Sequence, residues 1–200
     1  MIADNLQRII YTIATSLLYP VMLLLVIAVL FVVFDAGRFT FETVARFRSR
    51  RRLDVEALRA GMSVEGASVM EALTALGPGP VPVRVRRSLA EGIDLARSRL
   101  LKALSDGENE ASKRLERTRV LVRIGPLLGL MGTLIPISPA LVGLAQGDVL
   151  TLSNNLVIAF STTVVGLLVG AVSYVLTAVR ERHYREDLAD IEYLFDRVVV

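Results

Sequence analysis

Three uncharged apolar blocks, separated by highly charged sequence, organise the chain. The first runs from Ser16 to Phe34 (SLLYPVMLLLVIAVLFVVF), the second from Ile124 to Gln146 and the third from Leu156 to Val179. Each matches the roughly 20 apolar residues that a helix needs to cross a bilayer core about 30 Å thick. Pro20 lies in the first turns of its block, where a missing N–H costs little. Between the first two blocks, Val85, Leu89, Ile93, Ala96, Leu100 and Leu104 recur every three or four residues, the spacing of one helical face. The stretch GPGPVP (Gly77 to Pro82) breaks the helical pattern before it. Glu108 to Arg123 holds no breaker, so the second span is expected to continue a helix that begins in the charged region. Leu188, Ile191, Leu194, Phe195 and Val198 carry an apolar stripe beyond the third span. Leu6 to Ile13 reads as a short interfacial helix.

The pattern predicts an all-α membrane protein with three transmembrane helices, the second and third extending into a cytoplasmic helical domain. The expected order is an outer interfacial helix (1–15), the first span (16–34), a cytoplasmic helical domain (35–123), the second span (124–146), an outer loop (147–155), the third span (156–179) and a cytoplasmic C-terminal helix (180–200).

Charge sets the orientation. Arg38, Arg46, Arg48, Arg50, Arg51 and Arg52 follow the first block. Lys113, Arg114, Arg117, Arg119 and Arg123 precede the second, and Arg180, Arg182 and Arg185 follow the third. The connector GDVLTLSNN has no Lys or Arg and carries Asp148. The positive-inside rule places the basic flanks in the cytoplasm, the N-terminus outside and the C-terminus inside, in a cell (inner) membrane. The first block is too long for a signal-peptide core and lacks a small-x-small cleavage site, so it reads as an uncleaved span.

Composition agrees. Of 200 residues 53% are hydrophobic, the mean hydropathy is +0.54 and the net charge is +3 with a pI near 9.6. A basic balance can signal nucleic acid, but here the arginines border the apolar blocks, so topology control is the better reading and no nucleic-acid partner is expected. The absence of Cys excludes disulfides and thiolate metal sites. The single His, His183, reads as a solvated helix residue rather than a ligand, and no metal or cofactor is expected.

The spans differ in kind. The first is almost wholly large aliphatic and aromatic, suited to lipid on most faces. The second carries Gly125, Gly129, Gly132, Thr133, Pro136, Ala140 and Gly143 as one stripe. The third carries Ala159, Thr162, Thr163, Gly166, Gly170, Ser173 and Thr177. Small residues at such spacing let backbones approach closely. The stripes either pack helices within one subunit or line a space shared by several. Pro136 and Pro139 each leave a carbonyl one turn back without its N–H, tolerable in a membrane only in protein or facing water. Thr133, Ser161, Thr162 and Thr163 either bond their own helix or form a polar lining for an ion.

No Asp, Glu, Lys, Arg or His lies within the three spans. Ion carriers need such a group at membrane depth; either the chain moves no ion, or a partner supplies the acid. No P-loop, H-E-x-x-H or G-x-S-x-G motif occurs, and Glu65, Glu71 and Glu91 read as solvated faces, so no enzyme activity is expected.

The run RLERTRVLVRIGPLLGLMGTLIPI (Arg114 to Ile137) closely resembles the approach to the second span in the MotA/TolQ/ExbB proton-channel family, and IAFSTTVVGLLVGA resembles that family's last helix. The order of elements matches along the whole chain. The resemblance implies a homopentamer around a dimer of a single-span ExbD/TolR/MotB-like partner, whose membrane Asp binds and releases the proton, or alternatively Na+. It implies that the second and third spans line the central cavity, with Thr133 and Thr163 near that Asp and Thr162 and Ser161 secondary. Gly129, Gly132, Gly166 and Gly170 would permit close packing at the lining, and Pro136 would shape it. Ion passage would drive rotation or conformational work. ExbB- and TolQ-like members carry a Glu where this chain has Ile158; the layout is ExbB-like, whereas the Thr162–Thr163 pair is more MotA-like. The rival readings are a non-conducting scaffold packed through small-residue faces and, more weakly, a small transporter subunit.

Overall fold

The computed structural model describes residues 2–50, 73–74, 76, 79–90 and 97–199. It contains α1 (Ile2–Ser16), α2 (Leu18–Arg50), α3 (Pro80–Ala90), α4 (Arg97–Ala145) and α5 (Val149–Val199), and no strand among the described residues. Three helical stretches, Arg8–Val44, Ser98–Ala145 and Val149–Asp196, are long and apolar enough to cross a bilayer, with mean hydropathies of 3.0, 1.9 and 2.2 in their most apolar windows. The chain is a multi-pass, all-α membrane protein. At 1.5 Å per residue the 49 residues of α4 extend about 74 Å, more than twice a bilayer core. As the absence of a breaker predicts, α4 passes from charged into apolar sequence without interruption.

The chain divides into a membrane unit (Met1–Asp35 with Thr118–Val175) and a helical bundle unit (Ala36–Arg117 with Leu176–Val200). In the membrane unit, α1 and α2 are separated only at Leu17. Pro20 explains the break, because it has no N–H to offer the Ser16 carbonyl. Val21, Leu25, Ala28 and Val32, at steps of four, three and four, are the buried edge of α2. They pack with Leu128 of α4 and Val169 of α5. Leu23, Leu24, Val26, Ile27, Leu30, Val33 and Phe34 stay exposed, as a helix facing lipid on most sides requires.

The turn joining α4 to α5 is shorter than the sequence suggests. Only Gln146 to Asp148 is non-helical within the expected 147–155 loop and its edge. Gly147 takes a positive φ of 75°, its N–H donates to the Leu144 carbonyl (3.1 Å), and the Asp148 N–H donates to the Gly143 carbonyl (2.8 Å), a Schellman close. Asp148 then caps α5. Its carboxylate accepts the Thr151 backbone N–H at 3.0 Å and the Thr151 hydroxyl at 2.5 Å. These two bonds, the side-chain one foremost, hold the Asp148 carboxyl below its ordinary pKa.

In the bundle unit, Pro80 opens α3 at the first helical position, where its fixed φ suits a helix start. The core joins Leu73, Val81, Val85, Leu89, Leu100, Ala103, Ala111, Leu115, Tyr184, Ile191 and Phe195. The Val85-to-Leu104 face is therefore divided. Val85 and Leu89 lie on α3, Leu100 and Leu104 lie on α4, and these converge in one core; Ile93 and Ala96 lie outside the described residues. Ser88 donates to Asp106 at 2.9 Å and Arg84 stands 3.7 Å from the same carboxylate, pinning α3 to α4. Leu188, Ile191, Leu194 and Phe195 are buried or packed on the core, as their stripe predicts; the Val198 side chain lies outside the described residues. Arg51, Arg52, Glu65, Glu71 and Glu91 also lie outside them.

Candidate ion-path residues and the helix seam

The two small-residue stripes face each other within one chain. A Cβ built on Gly166 would stand 2.6 Å from the Gly129 Cα and 2.7 Å from the Gly125 carbonyl oxygen. One on Gly125 would stand 2.9 Å from the Gly170 nitrogen, and one on Gly170 would meet the Pro126 ring at 2.7 Å. Backbone touches backbone along this seam, and only glycine permits the approach. The G-x-x-x-G pairs Gly125/Gly129 and Gly166/Gly170 thus interlock.

Thr162 belongs to the same seam. It is 7% exposed, and its side chain fills the space that a Cβ on Gly132 would need, with Oγ1 2.5 Å from that position. Its hydroxyl lies 2.9 Å from each of the Ile158 and Ala159 carbonyls. Pro136 is fully buried in α4. Thr133 and Thr163 are placed differently, for both are half-buried. Thr133 donates to the Leu130 carbonyl at 2.7 Å and Thr163 to the Ala159 carbonyl at 3.1 Å. Thr133 follows Gly132 and Thr163 follows Thr162, so the two hydroxyls lie at nearly the same level of the helix pair. Ser161 is exposed on another face of α5.

Each threonine hydroxyl donates its one hydrogen to its own backbone, leaving lone pairs that can only accept. The spans of this helix pair thus offer acceptors and no Asp, Glu, Lys, Arg or His. Among the described residues no group of three or more His, Asp or Glu side chains is placed to hold a metal.

In the bundle unit, Arg180 is not the exposed anchor its flanking position suggests. It is buried, with its guanidinium 5.5 Å from the centre of the Phe39 ring. His183 stacks on the other partner of this group, its ring 6.5 Å from Phe39 and 13° from parallel. Neither contact had a signal in the sequence, since Phe39 and His183 are 144 positions apart. Arg114 pairs with Glu110 at 2.8 Å and stands 3.7 Å from Glu42. The Arg114 hydrogen bond holds the Glu110 carboxyl below its ordinary pKa.

No curated protein and no solved structure matches the chain. A family-level comparison does: the match covers residues 81–193, which takes in α3, α4 and most of α5. That is more than half of the chain, and it includes the whole glycine seam and both half-buried threonines. The chain belongs to the MotA/TolQ/ExbB proton channel family.

Proposed function

We propose that the chain is the channel-forming stator subunit of an ion-driven motor, coupling proton passage, or alternatively Na+ passage, to rotation or conformational work through a single-span partner. The observation that carries this reading is a mismatch. A chain of a proton channel family has no Asp, Glu, Lys, Arg or His in any of its three spans, yet offers hydroxyl lone pairs at one level of two of them. The missing acid is then supplied from outside, by an Asp in the span of an ExbD/TolR/MotB-like partner dimer held within a homopentamer. The N-terminus lies outside and the C-terminus in the cytoplasm, following the basic flanks.

In this reading Thr133 and Thr163 accept hydrogen bonds from a hydrated cation as it reaches the partner's carboxylate. Thr162, sealed against Gly132, keeps the helix pair closed, and Ser161 is secondary. Gly129, Gly132, Gly166, Gly170 and Pro136 set the spacing on which the two threonines depend. Ile158, where ExbB- and TolQ-like members have Glu, leaves the partner's Asp as the only membrane acid.

The test is ion flux in vesicles containing the chain and its single-span partner. The Thr133→Val, Thr163→Val pair is expected to abolish flux while native mass spectrometry still counts five copies with two of the partner. Normal flux in the double variant would remove the threonines from the ion path. The intrachain seam specifically favours a second reading, a non-conducting scaffold, because these glycines already have a packing role within one subunit. That reading predicts full cellular function after the same double substitution, and no flux in the unmodified complex.

A further inference from the structure

In the membrane unit, α1, which lies outside the family-matched region, and the second span, which lies within it, border an open cavity of about 600 Å³. Its walls include Arg8, Tyr11 and Thr15 of α1, and Leu134, Ile135 and Ser138 of α4. The volume falls within the roughly 300–1,000 Å³ of small-ligand pockets. We propose that this cavity binds the headgroup and first acyl carbons of an anionic phospholipid.

Three observations converge on that ligand. Arg8 is the only Lys or Arg in residues 1–15, and the 147–155 connector has none, so it stands alone on a side that the basic flanks otherwise avoid. Among the described residues it makes no ion pair, although it borders the cavity. Next, Pro139 has no N–H for the Ile135 carbonyl, so a cavity-lining residue one position from Pro136 and three from Ser138 lacks its ordinary helix donor. An exposed phosphodiester fits Arg8, and a headgroup hydroxyl can donate to the carbonyl. Finally, Leu134 and Ile135 give the opposite wall an apolar character suited to methylenes, and α1 itself is amphipathic. Leu6, Ile9, Ile10 and Ile13 are exposed apolar residues on a helix whose remaining positions are largely polar, the composition of an interfacial helix. A lipid satisfies the cation, the acceptor and the apolar wall at once. The proposal does not depend on ion conduction.

The full-length oligomer, delipidated in detergent, would be titrated with phosphatidylglycerol or phosphatidylcholine of the same acyl chains and followed by native mass spectrometry. One phosphatidylglycerol per chain is expected to bind about fivefold more tightly than phosphatidylcholine, the scale of one cation near a membrane surface. Arg8→Gln removes the preference, and Leu134→Trp, which narrows the cavity, weakens binding of both lipids. Arg38→Gln, elsewhere on the chain, keeps the preference. Equal binding of the two lipids by the unmodified protein, or an unchanged preference in Arg8→Gln, overturns the proposal. A photo-crosslinking side chain at position 134, in membranes from cells making the partner, gives a lipid-sized mass increase if the proposal holds. A polypeptide adduct there identifies a protein segment as the occupant and overturns it.

Discussion

The two units of this chain are packed by opposite means. In the bundle unit, large side chains fill the core, with Leu73, Leu100 and Ile191 wholly enclosed. In the membrane unit the closest contacts come where side chains are missing, along Gly125, Gly129, Gly166 and Gly170. Water explains the contrast. The bundle core gains from removing apolar surface from water, so larger side chains are better. Between helices in lipid that gain is nearly absent, and cohesion comes from close backbone contact. One substitution, to alanine, should therefore fail for opposite reasons in the two places.

Ile191→Ala is expected to have the largest effect. It leaves a void in a filled core and should cost about 2–5 kcal/mol, seen as early loss of the bundle in thermal melting of the detergent-solubilised protein. An unchanged melt would mean that the bundle closes over the gap and that its packing is looser than the burial of Ile191 implies. Gly166→Ala should come next, at about 1–3 kcal/mol, because the added methyl meets only backbone atoms of α4 and the helices must part. The same change at Gly107 is the internal control. There the methyl meets Val85 and Val81 side-chain atoms at 2.9 and 3.3 Å rather than backbone, and both helical positions gain the same helix propensity of about 1 kcal/mol. If Gly107→Ala proves as harmful as Gly166→Ala, the contrast between side-chain and backbone contact fails.

The sequence made the bundle and the spans readable in different degrees. Spans are legible because hydropathy accumulates over 20 residues whatever the neighbours are, and the Leu188-to-Phe195 stripe is legible because a helix repeats its face. The direction in which a glycine stripe points is not. Spacing puts Gly125 and Gly129 on one face, but whether that face meets Gly166 and Gly170 of the same chain or a shared space depends on rotation about the helix axis, which periodicity leaves free. The connector shows another limit. Loss of hydropathy marks where a helix leaves the apolar layer, not where it ends; Gly147 and Asp148, with Thr151 three residues on, carry the stop and the cap. Val85 and Leu100 share a core rather than a face, because equal spacing along the sequence does not distinguish one helix from two that pack together. Arg8 and Ile135, 127 positions apart, border one cavity through tertiary contact alone.

The smallest effect expected is electrostatic and belongs to the bundle unit. Glu110 has its carboxyl pKa lowered from 4.5, mainly by the Arg114 hydrogen bond and then by the charges of Arg114, Arg84 and Lys113, with partial burial acting against them. A depressed folded-state pKa stabilises the fold above the unfolded value, and that contribution disappears as pH falls through the folded value. Above about pH 5 the Glu110→Gln protein should therefore melt slightly below the unmodified one. Between pH 4.5 and the lower folded value the two curves should converge. About a third of the Glu110 side chain meets solvent, so screening keeps the gap small, and added salt should narrow it further. If the gap instead persists unchanged into acid and high salt, the charge is not the cause. The Glu110 side chain would then act through its packing against its neighbours, as the apolar residues of the bundle core do.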